Sequence, residues 1–132
     1  MQKVICDVEI YQNVFLCSIK DIDTKEITTW EISERRNDYK LIKDWFDNYK
    51  GFLITFNGIH YDVPMLLFLM QNNFKDWQDC TNQLKNWSDR LINEDRWWND
   101  WDLKKYKYHT KWIDIDLFLY WSKMLRISKK IS

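Results

Sequence analysis

The chain has 132 residues, enough for one domain around one core. A hydrophobic share of 45% and an aromatic share of 17%, with nine Trp, exclude a disordered chain. The 20 basic and 20 acidic side chains cancel, so the total charge shows no general electrostatic grip on nucleic acid, and any such grip would come from local clustering.

The first elements in chain order are three strands. Lys3–Cys6 is a short apolar run followed by Asp7 and Glu9. Val14–Ile19 and the β-branched segment 26–33 follow, with a turn over 21–25. Their short connections predict an antiparallel meander. Tyr39, Ile42, Trp45, Phe46 and Tyr49 then fall at helical spacing, with Asn37 or Asp38 as the cap and Gly51 as the stop. Phe52–Phe56 is a continuous apolar run bounded by Gly51 and Asn57-Gly58, the pattern of a buried strand. A helix is expected from Val63 to Gln71, with Pro64 in its first turn. Phe74, Trp77, Thr81, Leu84, Trp87 and Leu91 mark a long amphipathic helix. Arg96–Tyr108 reads as an irregular loop or an extension of that helix. Lys111–Ile115 reads as a strand and Leu117–Leu125 as a final helix.

The order βββαβααβα predicts an α/β fold with an RNase H-like mixed sheet, an antiparallel three-strand meander plus parallel strands, flanked by helices. Two Gly and one Pro leave little linker material, so residues 1–132 are expected to form a single domain. Cys6, Cys17 and Cys80 are odd in number and lack a C-x-x-C, so they read as reduced thiols in a core. No signal-peptide pattern and no membrane-length apolar run is seen, and a cytoplasmic location is expected (the host cytoplasm if the chain is viral).

Two constellations carry chemistry. In Asp7-Val8-Glu9, residues i and i+2 of a strand share a face, so two carboxylates project together. They read either as a solvated strand end or as a pair whose mutual repulsion a hard divalent cation relieves. In Asn57-Gly-Ile-His-Tyr-Asp62, Asp62 reads either as a helix N-cap or as a site residue just past the carboxyl end of a buried strand. A third feature, Trp97-Trp98-Asn-Asp-Trp101 beside Arg96 and Lys104-Lys105, reads as an aromatic lid over the core or as a stacking surface.

Together the two constellations resemble the first two motifs of DnaQ-like (DEDD) 3′–5′ exonucleases, closest to the proofreading region of phage and family B DNA polymerases. There the first motif is D-x-E and the second is N-x-x-x-(F/Y)-D, matched here by Asp7, Glu9, Asn57, Tyr61 and Asp62, with Pro64 following. The resemblance covers roughly residues 3–70, and weakly Ile113-Asp-Ile-Asp-Leu-Phe118. It implies two-metal-ion hydrolysis of phosphodiester bonds in single-stranded DNA, using Mg²⁺ or Mn²⁺. Asp7 would bridge both ions, Glu9 would hold the ion that activates water, and Asp62 would bind the other. Asn57 would position the strand end or a ligand carboxylate, and Tyr61 would help bind the substrate. His60 falls at a position that varies in the family.

The chain departs from the family at the third motif. No Y-x-x-x-D occurs in its last third, and the one numerical match to H-x-x-x-x-D is His109 to Asp114. That match lies on a segment that reads as a strand, whereas the family carries the motif on a late helix. The domain is therefore expected to lack its C-terminal helix. Expected partners are a single-stranded DNA 3′ end and the remainder of a polymerase. The alternative function is a catalytically weak or inactive exonuclease-like module that binds nucleic acid or a partner protein.

Overall fold

The computed structural model describes residues 1–94, 107, 109–121 and 123. The Trp97–Trp101 cluster, the rest of the 96–108 segment except Lys107, and the end of the expected final helix lie outside the described residues.

The elements follow the expected order: β1 (Lys3–Tyr11), β2 (Val14–Asp21), β3 (Ile27–Ile32), α1 (Tyr39–Asn48), β4 (Phe52–Thr55), α2 (Asp62–Gln71), α3 (Trp77–Glu94) and β5 (Ile113–Asp116). Residues 117–121 are helical. The strands form one sheet in the order β3-β2-β1-β4-β5. β1 pairs antiparallel with β2 and β2 with β3, which is the meander. β4 lies parallel to β1, with Val4 opposite Leu53, and β5 lies parallel to β4, with Thr55 opposite Asp116. The sheet is an RNase H-like mixed sheet.

Alternation along β1 decides what the sheet does. Val4, Cys6 and Val8 are buried, while Lys3, Ile5, Asp7 and Glu9 are exposed. The buried face continues through Phe15, Cys17 and Ile19 of β2, Trp30 and Ile32 of β3, and Leu53 of β4. Against it pack Ile42 and Phe46 of α1, most of α2, and Cys80, Leu84, Trp87 and Leu91 of α3. The three cysteines are free and buried, as core thiols. Ring contacts knit this layer, with Phe46 between Trp30 and Trp112, and Phe68 stacked on Trp87.

β4 differs from the fully buried strand that its apolar run implies. Leu53 and Thr55 are buried, but Phe52 and Ile54 on the opposite face are only half-buried. That face also exposes Ile5, Ile27 and Ile113.

The ends of α1 also differ from expectation. Asp38 occupies the N-cap position but makes no side-chain cap bond. Its carboxylate accepts the Glu31 main-chain N–H instead, and Asn37 Oδ1 accepts that of Tyr39. Gly51 does not end the helix through a left-handed turn, because no glycine here has positive φ and the C-cap is Tyr49. Gly51 is required by close approach: a Cβ there would collide with the Gln2 carbonyl and the Tyr49 hydroxyl.

Candidate active site

β1 is longer than its parallel partner. Its pairing with β4 ends at Ile5 opposite Ile54, so the Asp7–Glu9 stretch runs past β4. The connection from β4 to α2 fills the place that β4 leaves. Asn57 takes left-handed φ of 59°, which Asn tolerates better than most residues. His60 N–H then bonds the Asn57 carbonyl at 3.3 Å, and Val63 N–H bonds the Gly58 carbonyl at 2.7 Å. A Cβ at Gly58 would collide with the Thr55 side chain, so the turn closes only on glycine.

This turn delivers Asp62 to β1. Asp62 is the first residue of α2 rather than its cap, and the N-cap Tyr61 makes no side-chain cap bond. Asp62 Oδ2 accepts the main-chain N–H of Val8 at 2.9 Å, inside the D-x-E triplet. Of the two readings of Asp62, the N-cap is therefore not the one realised. Its side chain sits in a buried residue, 6% exposed. Burial pushes its carboxyl up to about 6, against the opposing effect of the Val8 N–H, and the Asp7 and Asp116 charges push the same way as burial. Asp7 is also raised, by desolvation first and by Glu9 second.

Asp116 is the residue that sequence reasoning left out of the site. It ends β5, is 6% exposed, and serves three main-chain donors. Its Oδ1 accepts from Asn57 at 2.8 Å and from Phe118 at 2.9 Å, and its Oδ2 accepts from Ile59 at 3.3 Å. It thus fastens the Asn57 turn and caps the helical residues that begin at 117. The signal available in the sequence was the Ile115-Asp116-Leu117 stretch, noted only as a faint family likeness.

The other expected residues are placed as follows. Glu9 shares the exposed face of β1 with Asp7, and its Oε2 accepts from the Tyr11 hydroxyl at 3.1 Å. Asn57 is exposed and contributes its main-chain N–H to Asp116. The Tyr61 hydroxyl bonds Ser88 Oγ on α3 at 2.7 Å, a packing role rather than an open binding position. His109 is exposed in the segment before β5. Both Asp114 oxygens are engaged, by Trp112 Nε1 at 2.7 Å and by Lys107 Nζ at 3.1 Å.

Asp62 thus feels the charges of both Asp7 on β1 and Asp116 at the end of β5, with Glu9 two residues beyond Asp7 along β1. Carboxylate oxygens are hard donors, and a divalent cation would offset the burial that raises Asp62 and Asp7. As the side chains stand, no group of three His, Cys, Asp or Glu among the described residues is arranged to hold a metal ion. Among the described residues no helix is long and apolar enough to cross a membrane. No protein-family model, curated protein or solved structure matches the chain.

Proposed function

We propose that the chain is a 3′–5′ exonuclease domain of the DnaQ-like (DEDD) class, acting on single-stranded DNA with Mg²⁺ or Mn²⁺. The observation that supports this reading is the Val8–Asp62 hydrogen bond. It brings the two acidic motifs into contact through residues 54 positions apart. Asp7, Glu9 and Asp62 would hold the ions. When bound, these lower the pKa of the attacking water and stabilise the leaving 3′ oxygen. The chain's own contribution is placement. Val8 orients Asp62, and Asp116 fixes the turn that carries Asn57 beside the strand end. The working partner is a DNA 3′ end, presented by the remainder of a phage-type polymerase in the cytoplasm.

A second reading has support of its own. Glu9 is bonded by Tyr11, Tyr61 by Ser88 and Asp114 by Lys107, so several motif residues serve the fold. This favours an exonuclease-like module that binds nucleic acid or a partner protein without turnover.

A 5′-labelled single-stranded oligonucleotide with Mg²⁺ or Mn²⁺ separates the two. Progressive shortening from the 3′ end, lost in Asp7→Ala, supports the enzyme. No product with either ion, at enzyme in excess of substrate, leaves the binding module.

A further inference from the structure

Helices α1, α2 and α3 all pack on the face of the sheet that carries Val4, Cys6 and Val8. The opposite face has an apolar line across it. The strand registers set Ile27, Lys20, Ile5, Ile54 and Ile115 side by side, one from each strand in the order β3-β2-β1-β4-β5. Phe52 and Ile113, one step back along β4 and β5, widen this row. Ile27 is 64% exposed and Ile5 46%, while Ile54 and Ile115 are half-buried. A solvated sheet face ordinarily carries polar side chains, so four isoleucines abreast call for a partner. The charges on β1 are sorted about this row. Lys3 stands two residues before Ile5 and Asp7 two residues after it, followed by Glu9, and all of them are exposed on the same face.

We infer that this face is the interface of a two-fold dimer of the chain, in which the sheets pack face to face with antiparallel strands and Lys3 of each copy meets Asp7 of the other. An apolar row with opposite charges on its two sides is complementary to itself after half a turn about the row. That rotation lays Ile5 on Ile5 and Ile54 on Ile54, and it forms the Lys3–Asp7 pair twice. A two-fold along the strands would instead set Lys3 on Lys3 and Asp7 on Asp7, which like charge opposes. The Lys20 stem is long enough to carry its ammonium about one row along, toward the acidic side of the other copy. Five strands about 4.8 Å apart, over about 20 Å of β1, offer roughly 500 Å² per copy. Pairing then buries about 1,000 Å² in all, the small end of specific interfaces, so the dimer should be weak, with a dissociation constant on the order of 10 µM. The inference needs only the row and its charges and stands apart from the proposed function. Where both hold, cleavage belongs to the monomer, because the dimer covers Asp7 and Glu9.

The test is sedimentation equilibrium in EDTA, over a concentration series that brackets that constant. The wild-type chain should pass from monomer to twice the monomer mass. Lys3→Glu sets like charges opposite each other in both pairs and should weaken association by about tenfold or more. Ile5→Asp, which puts a charge on the two-fold axis, should do at least as much. Lys3→Glu combined with Asp7→Lys exchanges the charges and should restore the dimer. Leu41→Asp makes the same kind of change on an exposed residue of α1, away from this face, and should leave the dimer intact. Lys3 is exposed at the start of β1, so its variants decide the case if Ile5→Asp fails to fold. A wild-type chain that stays monomeric throughout the series overturns the inference, and the row is then covered by another protein or by residues of the chain itself. A dimer that survives both Lys3→Glu and Ile5→Asp uses another surface and overturns it too. So does a charge exchange that fails to restore what Lys3→Glu loses, because the antiparallel pairing is then wrong. None of these readings depends on cleavage, so a dimer in a chain that never cleaves removes only the proposed enzyme, and cleavage by a chain that never pairs removes only the dimer.

Discussion

The main-chain N–H of Val8 donates to Asp62 Oδ2 at 2.9 Å, and this bond ties the middle of the D-x-E strand to the first residue of α2. A carboxylate in this position does two things. It satisfies an N–H that β4 is too short to reach, and it brings a third negative charge toward Asp7 and Asp116. The first stabilises the fold; the second works against it until something neutralises the charge.

The two effects come apart by mutation. Asp62→Ala leaves the Val8 N–H without its acceptor, at a cost of about 1–3 kcal/mol. Asp62→Asn keeps an acceptor oxygen and removes the charge, so at pH 7 in EDTA it should be at least as stable as wild type. Urea denaturation of the three proteins gives the answer. Asn and Ala variants weakened equally would show that the hydrogen bond is not what Asp62 contributes.

The pH profile follows with a definite sign. Asp62 has a folded pKa of about 6 against an ordinary 3.8, so the folded chain holds the extra proton across that window. Stability without metal should therefore fall as pH rises from about 4 to about 6, by at most about 3 kcal/mol, and stay reduced above it. Asp7, also raised, acts in the same direction. Glu31 acts oppositely. Its bonds to Arg35 and then Ser33 hold it near 2, so its stabilisation is present above its ordinary 4.5 and is lost as pH falls toward 2. Thermal melts in EDTA should peak near pH 4–5, and Asp62→Asn should flatten the decline above that peak. A wild-type chain that gains stability steadily up to pH 7 would contradict the assignment.

Divalent ions should reverse the same penalty. At an ion concentration 100 times its dissociation constant, binding to the folded state alone adds about 2.7 kcal/mol. Titration with Mg²⁺ or Mn²⁺ at pH 7 should raise the melting temperature of wild type and leave that of Asp7→Ala unmoved. An equal response in both proteins would place the ion elsewhere.

The sequence reveals most of this fold because its periods are clean. Phe74 to Leu91 repeat as one helical stripe, and α3 runs from Trp77 to Glu94. Asp7 and Glu9 share a face because alternation in a strand allows nothing else. What stayed hidden depends on register and length. That β1 runs past β4, and so needs Asp62, cannot be read from either segment alone. Asp116 looks like a strand-end aspartate until the Asn57 turn arrives at its carboxylate. Gly51 looks like a helix stop, because close approach of Gln2 and Tyr49 leaves no local trace. Tyr61 matches a motif position, and only the packing of α3 shows that Ser88 takes its hydroxyl.

Gly51 yields a prediction independent of function. Gly51→Ala would force the Gln2 carbonyl or the Tyr49 ring to move, and the backbone there cannot give easily. Phe52 N–H bonds the Gln2 carbonyl at 2.8 Å, and Ile113 N–H bonds the Gly51 carbonyl at 3.0 Å. A loss of about 1–3 kcal/mol is expected, the usual scale for overpacking. A melt within error of wild type would mean that the strand ends are looser than the geometry implies.

Activity is the sharpest question, and Asp114 and Asp116 decide it. Among the described residues, no free carboxylate stands where the proposed class carries its fourth. Asp114 is committed to Trp112 and Lys107, so Asp114→Asn should lower stability and leave any cleavage unchanged. Asp116 is committed to three main-chain donors, and it is electrostatically coupled to Asp62. Asp116→Ala should release the Asn57 turn and lose both stability and activity, whereas Asp116→Asn keeps an oxygen acceptor and should lose less of each. A site short of one carboxylate holds its second ion weakly, because less negative charge offsets the repulsion between the cations. Occupancy falls first and rate follows. The chain should accordingly degrade single-stranded DNA slowly or not at all, with Mn²⁺ better than Mg²⁺, since Mg²⁺ demands near-ideal octahedral geometry. Single-turnover assays with both ions on wild type, Asp7→Asn, Asp114→Asn and Asp116→Asn measure this directly. Brisk Mg²⁺-dependent cleavage, lost in Asp7→Asn but indifferent to both Asp114→Asn and Asp116→Asn, would mean that the fourth ligand is supplied from elsewhere and that the site is not short of one.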